Sequence, residues 1–448
     1  MSEQKVTYSL ANDPLAPSKE RIMDPLSYTV AWIGGNISVA IFMVGASFVP
    51  PAGELNLIQA FIAMLIGLSI LAVILTVNGA AGHKFGIPYV VQARPVFGTI
   101  GLKLPALLRG IPALVWFGVQ SWTGASAVNT ITTRMFGYDN LVVVFILFTL
   151  AQTVLAYTGL KGIKWIENIG VGVIFLSVVY MTYTLVTNFG TELNENLIQY
   201  QGSWGLPFIA AITASIGFST TIVTNISDFM RDVSKKVKTR TTAVLHWIAF
   251  VPTNMFLGMI GLMTAGVTGE WDPIALFTSA LPDSPVLIVS LVFIAFAQIT
   301  TNLYNNLVPA TYVLMDITKM KKYNHAAPIC TVLSVLTCPW VIASVGAFLI
   351  FIDICTAFFG AIFAALVTDY YFFRKQELSI DDLYNPDGPF VGINWRGIIA
   401  ITVGAALGLM FIEVSWFVTL IPTALVYYLL TKYTKLSPSF NKGTIFES

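Results

Sequence analysis

LVFIAFAQITTNLYNNLVPATYV, residues 291–313, is apolar at both ends and polar at its centre, where Gln298, Thr300, Thr301, Asn302, Asn305 and Asn306 fall within nine residues. At helical spacing Ala297, Thr300, Thr301 and Tyr304 share one stripe, and Gln298, Asn302, Asn306 and Pro309 form a second beside it. In a membrane such amides and hydroxyls cannot face lipid. They must line a cavity or bind neighbouring helices.

Composition places this helix in a membrane. The 448 residues are 56% hydrophobic and 10% charged, with a mean hydropathy of +0.76, against about a quarter charged in soluble proteins. The net charge of +1 is spread without a basic block, so nucleic acid is not an expected partner. Cys330, Cys338 and Cys355 lie in apolar surroundings without metal spacing and are expected as buried small hydrophobes. No cleavable signal precedes the first apolar run, and residues 1–26, with Lys5, Lys19 and Arg21, read as a cytoplasmic tail.

Apolar segments of about 20 residues, enough to cross a bilayer, run near 27–50, 56–81, 104–132, 140–160, 165–187, 205–230, 242–267, 285–316, 326–342, 346–371, 395–413 and 415–432. Cations collect in every second loop: Lys84, Arg94 and Lys103; Lys161 and Lys164; five between Arg231 and Arg240; Lys319, Lys321 and Lys322; Arg374, Lys375 and Arg396; Lys432, Lys435 and Lys442. The alternate loops hold Arg134 as their one cation, against Glu54, Asp139, Glu192, Glu195, Glu270, Asp272, Asp283 and Glu413. This alternation predicts twelve spans in a cell (inner) membrane, with both termini cytoplasmic.

Two spans are interrupted. The first carries Gly34-Gly35-Asn36-Ile37-Ser38 and the sixth Gly217-Phe218-Ser219-Thr220-Thr221. Five spans apart, equivalent helices point in opposite directions. The third and eighth spans correspond as well, both long and both polar at the centre, at Gln120-Ser121-Trp122-Thr123-Gly124 and at 300–306. Paired broken helices mark an inverted-repeat transporter with its site near the midplane.

Trp116 and Gln120 lie one helical turn apart, so an aromatic face and a two-way amide project from one side of the third span. Asn306 adds a second amide and Phe218 a second ring. This set suits a flat, uncharged heterocycle with alternating N–H and C=O groups. The absence of Lys and Arg from it argues against phosphate or carboxylate cargo. Where the broken first helix meets the eighth, carbonyls of Gly34, Ile37 and Ala297 with hydroxyls of Thr300 and Thr301 offer an all-oxygen sodium site. Asp353, about two turns into the tenth span, is the competing proton site. Asp228, Asp316 and Asp369 read as interfacial, with Asp228 one turn from Arg231 as a partner.

The chain resembles the nucleobase:cation symporter-1 family, transporters of hydantoins, allantoin, uracil, cytosine and related rings. The resemblance runs from Asn12-Asp13-Pro14-Leu15 through the tenth span. It rests on Gly86-Ile87-Pro88-Tyr89 with Ala93-Arg94 and Phe97-Gly98, then Trp116-Phe117-Gly118-Val119-Gln120-Ser121-Trp122. Asn225-Ile226-Ser227-Asp228-Phe229, Thr300-Thr301-Asn302 and Asn306-Leu307-Val308-Pro309-Ala310 complete it. It implies an all-α polytopic membrane protein with a LeuT-like 5+5 inverted repeat, helices 1 and 6 broken, and two C-terminal helices. The repeats would be 27–187 and 205–371, followed by helices 11 and 12 at 395–432 and a cytoplasmic tail at 433–448.

By position, the resemblance implies Trp116 as the stacking ring and Gln120 and Asn306 as ring-binding amides. Gly217, Phe218, Ser219 and Ser38 complete that pocket, and Gly34, Ile37, Ala297, Thr300 and Thr301 form the sodium site. Hydantoin carriers of this family place a tryptophan where Ser219 stands and a glutamine where Ser38 stands, so the substrate is not simply carried over. The arginine-containing segment before the third span is closer to the uracil, allantoin and hydantoin branch, many members of which couple to protons.

The expected protein is a monomeric symporter that imports a neutral nucleobase or related ring with Na+, or with H+, by alternating access. It is not expected to be an enzyme: His83, His246 and His325 are scattered, outside any metal or nucleophile motif, with His83 and His325 read as interfacial. A channel would lack paired broken helices. An amine or amino-acid carrier of the same fold would ask for a carboxylate, an aromatic cage or free helix-end amides.

Overall fold

The computed structural model describes residues 15–447 except 22, 39, 159–175, 177–178, 271, 281–284 and 319. The start of the predicted fifth span, Lys5, Lys161, Lys164, Asp283, Lys319 and Asn12-Asp13-Pro14 lie outside the described residues, as do the side chains of Tyr304 and Asp316. The described chain is helical, with one isolated bridge between Met23 and Val233.

The first break follows from its residues. Asp24 caps α1 (Pro25–Asn36) by accepting the Leu26 and Ser27 N–H groups at 2.9 and 3.0 Å, and Pro25 supplies a pre-set φ. After Gly34-Gly35-Asn36 the chain turns extended at Ile37 and restarts as α2 (Ala40–Ala46), bent by 67°. A second break separates α6 (Leu206–Gly217) from α7 (Thr220–Asn225) at Phe218 and Ser219. Between them lie α3 (Leu57–Phe85), opened by a reciprocal Asn56–Gln59 cap, α4 (Lys103–Phe136) and α5 (Leu141–Thr158).

The second half continues with α8 (Thr239–Thr268), α9 (Pro285–Asn302), α10 (Val308–Thr318), α11 (Tyr323–Leu336), α12 (Val345–Val367), α13 (Trp395–Met410) and α14 (Ser415–Tyr433). Among the described residues, five long helices have the length and apolarity to cross a membrane, and the bent α1–α2 pair qualifies as a sixth. On α5, Val142, Leu147 and Val154 are each at least 60% exposed. Exposed apolar side chains of this size suit a lipid-facing helix.

The helices pack in three groups. One contains α1, α2, α3, α6 and α8; the second α4, α5, α9, α10 and α11; the third α12, α13 and α14. In the first, α2 and α8 touch backbone to backbone: a Cβ on Gly45 would fall 1.9 Å from the Gly258 carbonyl oxygen. Dispersion at such close approach replaces the hydrophobic drive that lipid cannot supply.

Several expectations change. The predicted span 285–316 holds a π-turn, Leu303–Leu307, between α9 and α10, because Pro309 cannot donate to the carbonyl four residues back. The predicted span 326–342 is split, since Pro339 bars helical geometry at the preceding residue; Cys338 takes φ 54° and is exposed, not buried. His83 is buried, with Thr239 Oγ1 at 2.8 Å, and His325 is exposed. Asp369 is shielded from water: it is buried in an ion pair with Arg374 at 2.6 Å and accepts the Tyr427 hydroxyl at 3.1 Å. Asp228 accepts the Tyr89 backbone N–H at 2.7 Å, and Arg231 has Asp232 at 4.0 Å.

Both described chain ends lie on one face. The Ser18 N–H bonds the Gly86 carbonyl at 2.8 Å, Tyr384 donates to the Leu15 carbonyl, and Phe440 packs with Ile87, Val91 and Leu383. Lys84 and Arg94 sit on this same terminal face, Lys84 bridging to Glu377 at 2.7 Å.

Candidate functional site

The two breaks and the polar centres of α4 and the Pro285–Thr318 span meet at one small, partly open cavity. Its walls are Gly35, Asn36 and Ser38 from the first break and Trp116 and Gln120 from α4. Phe218, Thr221 and Ile222 come from the second break, and Thr301, Asn305 and Asn306 close it. None of these side chains is charged.

Trp116 is buried and meets three rings edge to face: Phe218 at 5.7 Å and 89°, Phe348 at 5.5 Å and 89°, and Phe351 at 5.5 Å and 66°. These contacts fix the indole plane. One turn on, Gln120 donates to the Ser38 hydroxyl at 3.4 Å, while its buried Oε1 has no hydrogen-bond partner among the described residues. A buried, unpaired amide oxygen is costly. It is an acceptor waiting for a donor.

Asn306 donates to Asn302 Oδ1 at 2.9 Å. Asn302 in turn places its amide nitrogen 2.9 Å from the Phe117 carbonyl and 3.1 Å from both Ser121 Oγ and Gln152 Oε1. Gln152 completes the network with a bond to Ser121 at 2.8 Å. The Asn302–Asn306 stripe therefore fills both roles open to it, binding α4 and α5 with Asn302 and reaching the cavity with Asn306.

The proposed sodium ligands divide between the same two elements. Thr301 donates to the Ile37 carbonyl at 2.9 Å, joining the first break to α9. Thr300 donates to its own helix at Ala297, at 3.3 Å, and the Gly34 carbonyl accepts the Ile37 N–H at 3.2 Å. All five residues are buried.

Gly217 and Ser219 stand beside the cavity, not in its wall. A Cβ on Gly217 would come within 2.4 Å of Thr356 Oγ1, so this glycine admits α12. Ser219 is fully buried, and its hydroxyl has no hydrogen-bond partner among the described residues. Asp353 is half-buried and also outside the lining; its carbonyl accepts from Ser415 at 3.4 Å.

Sequence reasoning passed over Asn36, Thr221, Ile222 and Asn305. Thr221 and Ile222 follow Phe218 by three and four residues, a spacing that signals a shared helix face. Arg109 was missed too. It is 4% exposed inside the predicted third span, and a charge in that setting is itself a functional signal.

An all-helical membrane fold with paired broken helices, closing on an uncharged aromatic-and-amide cavity, defines a transporter and not an enzyme. The chain belongs to the family of permeases for cytosine/purines, uracil, thiamine and allantoin, which it matches over residues 15–432. It is 27% identical to the hydantoin permease of Microbacterium maritypicum, over 94% of this chain and 88% of that one. It is 25% identical to the allantoin permease of Bacillus subtilis (strain 168), over 96% and 94%. Among solved structures, the inward-facing conformation of Mhp1 matches with a TM-score of 0.84 and 25% identity, over 98% of this chain and 95% of that one. The fold also matches Mhp1, a nucleobase-cation-symport-1 family transporter, in a closed conformation with bromovinylhydantoin bound, at a TM-score of 0.82 and 24% identity over 96% and 99%.

Proposed function

We propose that the protein is a secondary active symporter, a monomer importing a neutral uracil-, allantoin- or hydantoin-type ring with Na+ by alternating access. The observation that carries this reading is the convergence of Trp116, Gln120 and Asn306 with both helix breaks on one uncharged cavity. Trp116 offers a stacking face, the free Gln120 Oε1 accepts a ring N–H, and Asn306 pairs with the ring edge. Phe218 forms a second aromatic wall and Ser38 orients Gln120. Gly217 and Ser219 act from behind this wall by setting the position of the second break. Permeases of hydantoin and allantoin among the relatives support the substrate class.

The ion site takes its oxygens from Gly34, Ile37, Ala297, Thr300 and Thr301. An uncharged all-oxygen set suits a hard monovalent cation. In this reading the Thr301–Ile37 bond marks where the ion would sit, joining a broken helix to α9 and thereby coupling ion and ring. The architecture is twelve crossings in two inverted five-helix repeats, 27–187 and 205–371, plus two helices, in the inner membrane. The terminal face with its cations is cytoplasmic.

The test is thermal stability of the purified protein against uracil, cytosine, allantoin, 5-substituted hydantoins and purines, in sodium and in potassium, at two pH values. A ligand that binds the native state must raise its stability. Stabilisation by one ring, larger in sodium, is the expected result. Stabilisation that tracks pH and ignores sodium would transfer coupling to protons and to Asp353, and none with any ring would overturn the substrate class.

A further inference from the structure

Arg109 lies on α4 beneath the cavity, buried, and its three guanidinium nitrogens are in different situations. Nη2 donates to the Asn305 carbonyl at 3.1 Å and Nε to Asn225 Oδ1 at 3.4 Å, while Nη1 has no hydrogen-bond partner among the described residues. The Asn305 carbonyl is available for a reason legible in the chain. Its helical donor would be the N–H of residue 309, and residue 309 is proline. Arg109 fills that position.

The side chain of Asn305 extends the connection. Its amide donates to the Gly35 carbonyl at 2.9 Å, inside the first break, and it lines the cavity. Asn225 ends α7, the helix that follows the second break, and is held there by Asn78 of α3, which bonds the Val223 carbonyl at 2.6 Å. Arg109 belongs to the second helix group, whereas Asn225 ends α7, which packs on α12 of the third group and on α3 of the first. One guanidinium therefore ties both broken helices to α4, on the side of the cavity toward the terminal face.

We propose that Arg109 is a positioning residue of the barrier between the cavity and the terminal face: its bonds to Asn225 and, through Asn305, to Gly35 must part before the cavity opens to that side. The inference rests on the alternating-access reading above. Asp228 stands close enough to act on the Arg109 charge and is itself bonded by Asn225, but among the described residues no carboxylate bonds the guanidinium directly. A cation at this depth with one nitrogen free is costly as a mere fastener. Incomplete pairing makes the closed arrangement separable, because the guanidinium can exchange a partner for water entering from the terminal face. The fork matters as well as the charge, since two partners in different directions need two N–H vectors.

The experiment places one cysteine, Ile222→Cys, in the cavity wall of a protein carrying Cys330→Ala, Cys338→Ser and Cys355→Ala. Its labelling by a membrane-impermeant maleimide is followed in membrane vesicles of each orientation. Asn225→Ala is expected to raise the rate from the terminal face about tenfold, the effect of losing one hydrogen bond to a charged group, and Arg109→Gln, which removes both bonds, at least as much; each is expected to lower it from the opposite face. Arg109→Lys falls between, keeping charge without the fork. Asn225→Ala leaves the buried cation in place, so it decides the matter even if Arg109→Gln folds poorly. Unchanged rates from both faces in Asn225→Ala overturn the proposal, as does loss of folded protein with unaltered labelling of the remainder. No heterocycle enters this readout, so a protein that binds none of the rings yet shows the shift keeps the barrier and discards only the substrate class. Equal labelling of the parent from both faces would discard the barrier together with alternating access.

Discussion

Asn302→Ala tests the link between packing and binding most directly, because Asn302 never touches the cavity and yet holds the residue that does. Its amide nitrogen has three acceptors at 2.9 to 3.1 Å and its carbonyl takes the Asn306 amide at 2.9 Å. Two N–H groups and one accepted bond make three interactions. Interhelical bonds inside membranes average about 0.6 kcal/mol each and reach about 1.7, so the substitution is expected to cost roughly 2 kcal/mol of stability and no more than about 5. Asn306 then loses its orienting partner. A ring-binding amide free to rotate forfeits about 1 kcal/mol of net hydrogen-bond energy, which is about fivefold in affinity. Calorimetric titration with the stabilising ring, alongside thermal unfolding in detergent, reads both numbers. Wild-type stability with wild-type affinity would refute the network as the support of the site; lowered stability with unchanged affinity would remove Asn306 from the ring.

Three further outcomes are expected. Trp116→Ala removes the stacking face and should cost about 1–3 kcal/mol of ring binding by analogy with base stacking; titration showing full affinity would place the ring elsewhere. Thr300→Ala with Thr301→Ala should abolish sodium-dependent stabilisation while leaving a folded protein, and persisting sodium dependence in a thermal shift would move the ion. Arg374→Gln leaves Asp369 buried without its 2.6 Å partner and frees the Phe440 and Lys442 carbonyls of the C-terminal segment. Breaking such a pair costs about 3–5 kcal/mol, so early proteolysis of the C-terminal segment and a lower melting temperature are expected; an unaltered digestion pattern would show that the segment is held by other contacts.

Much of the fold was legible because its causes are local. A run such as 57–85 is apolar along its length, and glycines at 34 and 35 weaken a helix wherever it is placed, so spans and breaks could be read directly. Trp116 and Gln120 were legible as a pair because one helical turn joins them. Their partners were not. Ser38 reaches Gln120 across 82 residues of chain and Thr301 reaches Ile37 across 264, distances over which no periodicity speaks.

Where the sequence was misread, packing had answered a question that composition leaves open. Asp369 near its span end would be expected to meet water, but the neighbouring Arg374 and Tyr427 take water's place. Gly217 looked like cavity backbone, and the approach of Thr356 makes it a packing contact. Arg109 joins Asn305 across 196 residues. The sequence by itself determined a membrane protein of many helices with two breaks and an uncharged polar centre, since bilayer thickness, backbone hydrogen bonding and the cost of charge in lipid act on each segment alone. Which amide is left with a free oxygen, which threonine meets which carbonyl and which cation stands beneath the cavity were decided only when the three helix groups closed on one another, because those are properties of distance between segments and not of any segment.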